Sequence, residues 1–196
     1  MRALAVDLGG THVAYGVVED RRLVFHETFE VVSATTLCSV LATLQDQLQR
    51  AQKMFGACDG LAMGFPCIVD TSTNRVLSAL KKYEDATDID LPGWCRDRLN
   101  LDLKVENDAR LALLGEHYAG AGRGEESLVM MTLGTGIGTA AIIENRLRRK
   151  GQKLPDALLL RSGTAHVVEF GGAYSKEKLR AFHSYCQQQE LSYEIW

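Results

Sequence analysis

The sequence lacks the features typical of membrane, secreted and nucleic-acid-binding proteins. None of its apolar runs is long enough to span a bilayer. The net charge is only -3 and the pI is near 6.0, so no basic field points to nucleic acid or to an anionic membrane. An acid, Asp7, follows the initial methionine too soon for a secretory signal peptide. We therefore expect a cytoplasmic protein without membrane or nucleic-acid partners.

Paired cysteines are also missing. The five cysteines are scattered and none forms a Cys-x-x-Cys pair, which argues against a zinc site and for free thiols in a reducing compartment. The other proportions are ordinary, because 46% of the 196 residues are hydrophobic and 24% are charged. This composition and length allow a real hydrophobic core, in one domain or two small ones.

The most informative segment lies near the N-terminus, where an apolar run at Ala3–Val6 is followed by a polar turn and a second apolar run. The polar residues are Asp7, Gly9, Gly10 and Thr11. The pattern predicts strand, tight turn and strand, with glycines that tolerate positive φ and a close ligand. Backbone N–H groups and the Thr11 hydroxyl can surround phosphate oxygens, and Asp7 can hold Mg²⁺ or its water shell. A simple hairpin turn that contains an aspartate is the alternative.

A second segment repeats this pattern. The strand Leu128–Leu133 leads into a Gly/Thr turn, and Ala140–Ile143 forms the returning strand. The residues of this turn are Gly134, Thr135 and Gly136. Two such hairpins facing each other would hold a polyphosphate from both sides.

The remaining periodicity predicts a sheet with helices. Residues 2–31 should form an antiparallel hairpin or meander, and a helix near 36–54 should pack on it. Ser33 or Thr35 is the expected cap of this helix, and Gly56 should end it.

The residues between 81 and 108 predict a loop, a short helix and a strand-to-helix junction. Residues 81–91 are acidic and polar and predict a loop, and Leu91 should open a short helix. Asn107 and Asp108 follow a strand and precede a helix. Asp108 can be a catalytic base at this junction, the N-cap of the helix, or both.

Several segments together resemble the ROK family of sugar kinases, repressors and unassigned reading frames, within the actin-like ATPase superfamily. Order and spacing agree over residues 3–149 in the segments Val6–Thr11, Leu91–Trp94, Val105–Ala109, Gly115–Gly124 and Leu133–Gly138. The resemblance implies an α/β ribonuclease-H-like fold of two lobes. The first lobe, 1–119, should be complete and carry the sugar site; the second, 120–196, should be partial, with a divergent tail from about 151.

The resemblance also implies an activity, namely ATP-dependent phosphorylation of a hexose or amino-sugar hydroxyl with Mg²⁺. The two glycine loops would hold the ATP phosphates, and Asp108 would be the catalytic base. Asn107 would contact a sugar hydroxyl, and Gly64 would lie at the same substrate site. A homodimer is one expectation, because members of the family often dimerise through the second lobe.

The sequence departs from the family pattern at Cys67, Arg110 and Thr139 and throughout the tail. Gly64–Cys67 ends in cysteine where the family usually has Gly-x-Pro-Gly. After Lys150 the family's Gly-Glu-x-Gly-His and zinc-binding cysteine motifs are missing, and His166 with Gly163 is only a faint echo of the former. We expect no zinc site and little or no activity from this chain by itself. A shifted reading frame or an early stop would explain such a tail.

Two alternatives follow from these departures. The chain can be a non-catalytic sugar- or nucleotide-binding remnant that acts by association. A repressor is less favoured, because repressors carry a helix-turn-helix before the first glycine loop, and here that loop begins at residue 7.

Overall fold

The computed structural model describes residues 1–31, 36–78, 82–133 and 137–149, without the side chains of residues 133 and 137. The chain divides into two compact units, Met1–Asp108 and Ala109–Trp196. Among the described residues, no helix combines the length and apolar character that a bilayer span requires.

The first unit is built on a five-stranded sheet. Its strands are β1 (Arg2–Leu8), β2 (His12–Glu19), β3 (Arg22–Glu30), β4 (Leu61–Phe65) and β7 (Leu103–Asn107), in the order β3-β2-β1-β4-β7. The first three form the predicted antiparallel meander, while β4 and β7 run parallel to β1. Asp20 and Arg21, both with positive φ, make the tight turn between β2 and β3.

A long helix, α1 (Leu37–Phe55), covers one face of this sheet as predicted. Its buried residues recur at helical spacing: Leu37, Val40, Leu41, Leu44, Leu48 and Ala51. Gly56 ends the helix with φ 90°, which confirms the predicted stop. The predicted caps Ser33 and Thr35 were wrong: they lie outside the described residues, and the N-cap is Thr36.

The described residues between β4 and β7 contain more regular secondary structure than the sequence indicated. A small unpredicted hairpin pairs β5 (Val69–Asp70) with β6 (Arg75–Val76). The predicted loop then contains a 3-10 turn at Ala86–Asp88, and the helix α2 (Leu91–Leu99) follows with Asp90 as its cap. Tyr83, in the segment expected to be a polar loop, is fully buried.

The second unit carries a separate small sheet. The helix α3 (Asp108–Ala119) begins at the last residue of the first unit, so the predicted lobe boundary at 119 lies at its other end. The strands are β8 (Leu128–Leu133), β9 (Ile137–Ile143) and β10 (Arg146–Leu147), in the order β10-β9-β8. Their core consists of Ala109, Leu113, Ala140 and Ile142. The two strands predicted on either side of the second Gly/Thr turn are therefore present as β8 and β9, while the turn itself lies outside the described residues.

Candidate active site

The parallel strands of the first unit bring separate sequence motifs to one edge of the sheet. Asp7 on β1 is in register with Gly64 on β4, and Gly64 is in register with Glu106 on β7. Asn107 pairs with Phe65 one position further along. Because neighbouring strands are about 4.8 Å apart, these strand ends lie within about 10 Å of one another. The carboxyl edge of parallel strands is also where ligands bind in open α/β sheets.

Asn107 is oriented by its neighbours in this edge. Its side-chain amide donates to the carbonyl of Cys67 at 3.3 Å and to Asp108 Oδ1 at 2.9 Å. Its backbone N–H donates to Glu106 Oε1 at 2.9 Å. The amide therefore holds one oxygen of the Asp108 carboxylate in place.

The same contacts explain why one departure from the family pattern is tolerated. Cys67 stands where the family usually has glycine, but its contribution here is a backbone carbonyl that any residue provides. Its side chain is buried, with 6% of its surface exposed. A small apolar side chain thus fits at this position without removing the contact to Asn107.

Asp108 is the first residue of α3, so the cap position falls on Asn107. An acid in the first helical turn interacts favourably with the helix dipole, typically by about 0.3–1 kcal/mol. A helix-stabilising role and a catalytic role are compatible, because both use the negative charge of the same carboxylate. The assignment of Asp108 as the base stays a prediction.

The glycine turn follows β1 at the same edge. Gly9 donates to the His12 carbonyl at 3.0 Å and closes the turn between β1 and β2. The turn does not use the positive φ that glycine tolerates, because the described glycines with positive φ are Gly56 and Gly124. Gly9 is required for a different reason: a Cβ there would lie 2.6 Å from the His12 carbonyl oxygen. The turn is therefore too tight for a side chain at this position.

Two residues of the segment that was predicted to be a polar loop contact the glycine turn. Tyr83 donates its hydroxyl to the Gly9 carbonyl at 3.2 Å, and Lys82 Nζ donates to the Gly10 carbonyl. Burial lowers the pKa of Lys82 and raises the pKa of Tyr83 to about 12. Sequence reasoning missed both residues, because they are more than 70 positions from the turn and lie in a segment of polar composition.

Thr11 completes the turn. Its carbonyl accepts from the N–H of Val31 at 2.8 Å, which ties the turn to the end of β3. Its hydroxyl lies 2.8 Å from Nδ1 of the exposed His12. The hydroxyl is thus at the mouth of the turn, beside a side chain that can either donate to it or accept from it.

Asp7 lies immediately before the turn, and its environment suits a cation. The carboxylate reaches solvent, but the surrounding protein still removes enough water to raise its pKa. Within the described part of the chain, Asp7 has no cationic partner that offsets this cost. Mg²⁺ commonly binds through one or two carboxylates together with substrate phosphates, so a single acid of this kind fits that ion.

The other predicted residues lie away from this edge of the sheet or outside the residues that the structure describes. Gly134, Thr135 and Gly136, and also Gly163 and His166, lie outside the described residues. Cys38, Cys58, Cys67 and Cys95 are not joined in disulfides within the part of the chain that the structure describes. No group of three or more His, Cys, Asp or Glu side chains forms a metal-binding cluster in residues 1–31, 36–78, 82–133 and 137–149.

This sheet order, with a glycine turn after β1 and an Asn-Asp pair after β7, defines the ribonuclease-H-like fold of the actin-like ATPases. The model of the ROK family matches residues 3–153, and the chain belongs to the ROK family. The resemblance and fold class expected from the sequence are thereby confirmed.

Three relatives show the range of that similarity. A beta-glucoside kinase from Listeria innocua is 29% identical over 182 residues, which cover 90% of this chain and 54% of that protein. A ROK family glucokinase from Streptomyces griseus, solved with glucose and AMPPNP, is 31% identical with a TM-score of 0.64, over 76% of this chain and 46% of that one. A ROK family transcriptional regulator, homologous to E. coli MLC protein, shares the fold at 17% identity and a TM-score of 0.66, over 76% of this chain and 38% of that one.

These comparisons establish a sugar-kinase-like chain and leave its activity open. The chain spans about half the length of the curated relatives it matches. The regulator shows that the fold alone does not distinguish a kinase from a transcriptional regulator.

Proposed function

We propose that this chain binds ATP and a sugar, and that it provides the first-lobe half of an ATP-dependent sugar kinase reaction. The observation that carries the proposal is the meeting of Asp7, Gly64 and the Asn107-Asp108 pair at one edge of a parallel sheet. Glucose and β-glucosides are the first candidate sugars, since kinases of both kinds are among the relatives. Phosphoryl transfer depends mainly on positioning and on charge stabilisation, which an edge of this kind can supply.

In this proposal Asp108 accepts the proton of the attacking sugar hydroxyl. The O–H bond breaks as the oxygen bonds to the γ-phosphorus, and ADP leaves with the electron pair of the β–γ bridge. Asn107 keeps the carboxylate of Asp108 oriented through its 2.9 Å hydrogen bond. Gly64, which is buried between Asp7 and Glu106 in the sheet, leaves space at the strand end for the sugar ring.

The glycine turn would receive the phosphates. The N–H groups of Gly10 and Thr11 can donate to phosphate oxygens, and so can the Thr11 hydroxyl. Asp7 would hold Mg²⁺, which when bound to ATP neutralises part of the phosphate charge.

The first test measures binding, because binding does not require the whole machinery of the longer relatives. Isothermal titration of the chain with glucose, cellobiose, mannose and an amino sugar, each with and without Mg²⁺ and ATP, identifies the ligand. Asp108→Ala should weaken sugar binding by about 3- to 10-fold, as expected for one lost hydrogen bond. Asp97→Ala removes an exposed carboxylate from α2 and should leave sugar affinity unchanged.

The second test measures turnover as sugar-dependent release of ADP. Where turnover is measurable, Asp108→Asn should lower it by about 100- to 10,000-fold while ATP affinity is retained. Equal turnover of Asp108→Asn and the wild type would refute Asp108 as the base. Sugar and ATP binding without turnover would instead favour the non-catalytic binding protein.

A further inference from the structure

The backbone carbonyls of the glycine turn are all held from the protein side. The Tyr83 hydroxyl donates to the carbonyl of Gly9, and Lys82 Nζ donates to that of Gly10. The N–H of Val31 donates to the carbonyl of Thr11. Three successive acceptors are thus satisfied, and two of the three donors are side chains from one distant segment.

This pattern fixes the direction of the N–H groups as well. In a planar trans peptide the carbonyl and the following N–H point in opposite directions. The Gly9 carbonyl shares its peptide with the Gly10 N–H, and the Gly10 carbonyl shares its peptide with the Thr11 N–H. Holding the two carbonyls towards the protein therefore turns both N–H groups away from it. Within the described part of the chain, neither N–H meets an acceptor.

We infer that Tyr83 and Lys82 are positioning residues that keep the Gly10 and Thr11 N–H groups directed at the phosphates of the nucleotide. The inference rests on the proposed function, since it presumes that this turn binds phosphate. Neither residue needs to touch the nucleotide for this role, because each acts through a peptide plane of the turn.

The Tyr83 side chain is well placed to act as a fixed support. It is fully buried, and its ring lies 5.7 Å from the ring of Phe65, centroid to centroid. Phe65 is the last residue of β4 and pairs with Asn107, so the support reaches both the glycine turn and the strand end beside Asp108. Because the pKa of Tyr83 is raised to about 12, the hydroxyl stays a donor throughout the neutral range.

The segment that carries both residues is itself anchored. Asp85 accepts hydrogen bonds from the N–H groups of Leu37 and Cys38, at 2.7 and 2.9 Å, at the start of α1. Lys82 Nζ lies 5.8 Å from the ring centroid of Tyr83, which stabilises the cation over an aromatic face. The contacts to the turn therefore come from a segment fixed at its other end to a helix.

The experiment compares variants that remove one donor each. Tyr83→Phe keeps the ring and removes the hydroxyl, and Lys82→Met keeps the apolar stem and removes the ammonium. Tyr15→Phe is the matched tyrosine control, since Tyr15 is also buried but bonds to Glu27 and Gln47. Lys53→Met is the matched lysine control and removes an exposed cation from the last turn of α1.

Binding of MgATP is measured by isothermal titration, and backbone order parameters of Gly10 and Thr11 are measured by ¹⁵N relaxation without ligand. Tyr83→Phe and Lys82→Met should each weaken MgATP binding by about 3- to 10-fold. The order parameters should fall from about 0.85 to below about 0.6. Both controls should match the wild type in both measurements, and Lys82→Arg should restore most of the affinity.

The outcomes separate this inference from the proposed function. A wild-type chain that binds no MgATP refutes the phosphate role of the turn, and the inference fails with it. Normal wild-type binding with unchanged affinity and order in Tyr83→Phe and Lys82→Met refutes the inference alone. A loss above about 100-fold in Lys82→Met with unchanged order would also overturn it for Lys82, because that result indicates direct contact with phosphate.

Discussion

Asp85 should stabilise the start of α1 more than the helix's own cap does. Its two carboxylate oxygens accept from Leu37 N at 2.7 Å and from Cys38 N at 2.9 Å, which are otherwise unpaired donors of the first helical turn. The hydroxyl of the local cap, Thr36, accepts from one backbone N–H, that of Ser39, at a longer 3.3 Å, and it also donates to the Ser39 hydroxyl at 3.2 Å. The more distant residue in sequence thus holds two backbone N–H groups of the first turn at shorter distances than the local cap holds its one.

The magnitudes follow from this geometry. A hydrogen bond to a charged group contributes about 1.5–3 kcal/mol, and the bond to Cys38 is exposed and therefore weaker than the part-buried bond to Leu37. We expect Asp85→Ala to lower the free energy of unfolding by about 2–4 kcal/mol, and Asp85→Asn by about half as much. Thr36→Ala should cost about 0.5–1 kcal/mol, the lower part of the range for lost caps, because its bond is long.

Equilibrium unfolding in urea measures these values, with far-UV circular dichroism and tryptophan fluorescence as independent probes. Coincident transitions are needed for a two-state free energy. The difference between Asp85→Ala and the wild type should shrink in 1 M NaCl, since part of the interaction is between charges. If Thr36→Ala costs as much as Asp85→Ala, the helix is capped locally and the anchoring role of the segment around Asp85 is wrong.

Three further changes test the fold and the site. Asp7→Asn should raise the free energy of unfolding at pH 7 by up to about 0.5 kcal/mol, because the raised pKa means that the ionised carboxylate destabilises the ligand-free fold. This gain should vanish in thermal melts as the pH falls below 3.8, the ordinary pKa of an aspartate, because the wild-type carboxyl is then neutral in the folded and unfolded states. A gain that persists at that pH contradicts the electrostatic cause. Gly9→Ala should lower the free energy of unfolding by about 1–3 kcal/mol in chemical denaturation, since its Cβ would lie 2.6 Å from the His12 carbonyl oxygen. An unchanged free energy of unfolding would mean that the turn has room for a side chain at this position. Leu44→Ala, in the fully buried stripe of α1, should cost about 2–5 kcal/mol by the same method, and a loss below 1 kcal/mol would show that α1 is not packed on the sheet.

Local patterns in the sequence determined much of the first unit. Two apolar runs around a polar turn predict β1 and β2, alternation predicts β3, and the helical spacing of Leu37 to Ala51 predicts α1 and its buried face. Gly56 predicts where α1 ends, because a positive φ is easiest for glycine. The Gly/Thr turn and the Asn107-Asp108 junction were also recognisable from residue types, together with their resemblance to the ROK family. Such features depend on residues only a few positions apart in the chain, so the sequence alone is enough to predict them.

Only the tertiary structure decided which residues support the turn and the strand ends. Lys82, Tyr83 and Asp85 have the composition of a polar loop, and their partners lie 72, 74 and 48 positions away. The parallel register that aligns Asp7 with Gly64 likewise comes from strands separated by a long crossover. Spacing in a sequence cannot specify such pairs, because they form only when the sheet and α1 have packed and the cost of closing the intervening loops has been met.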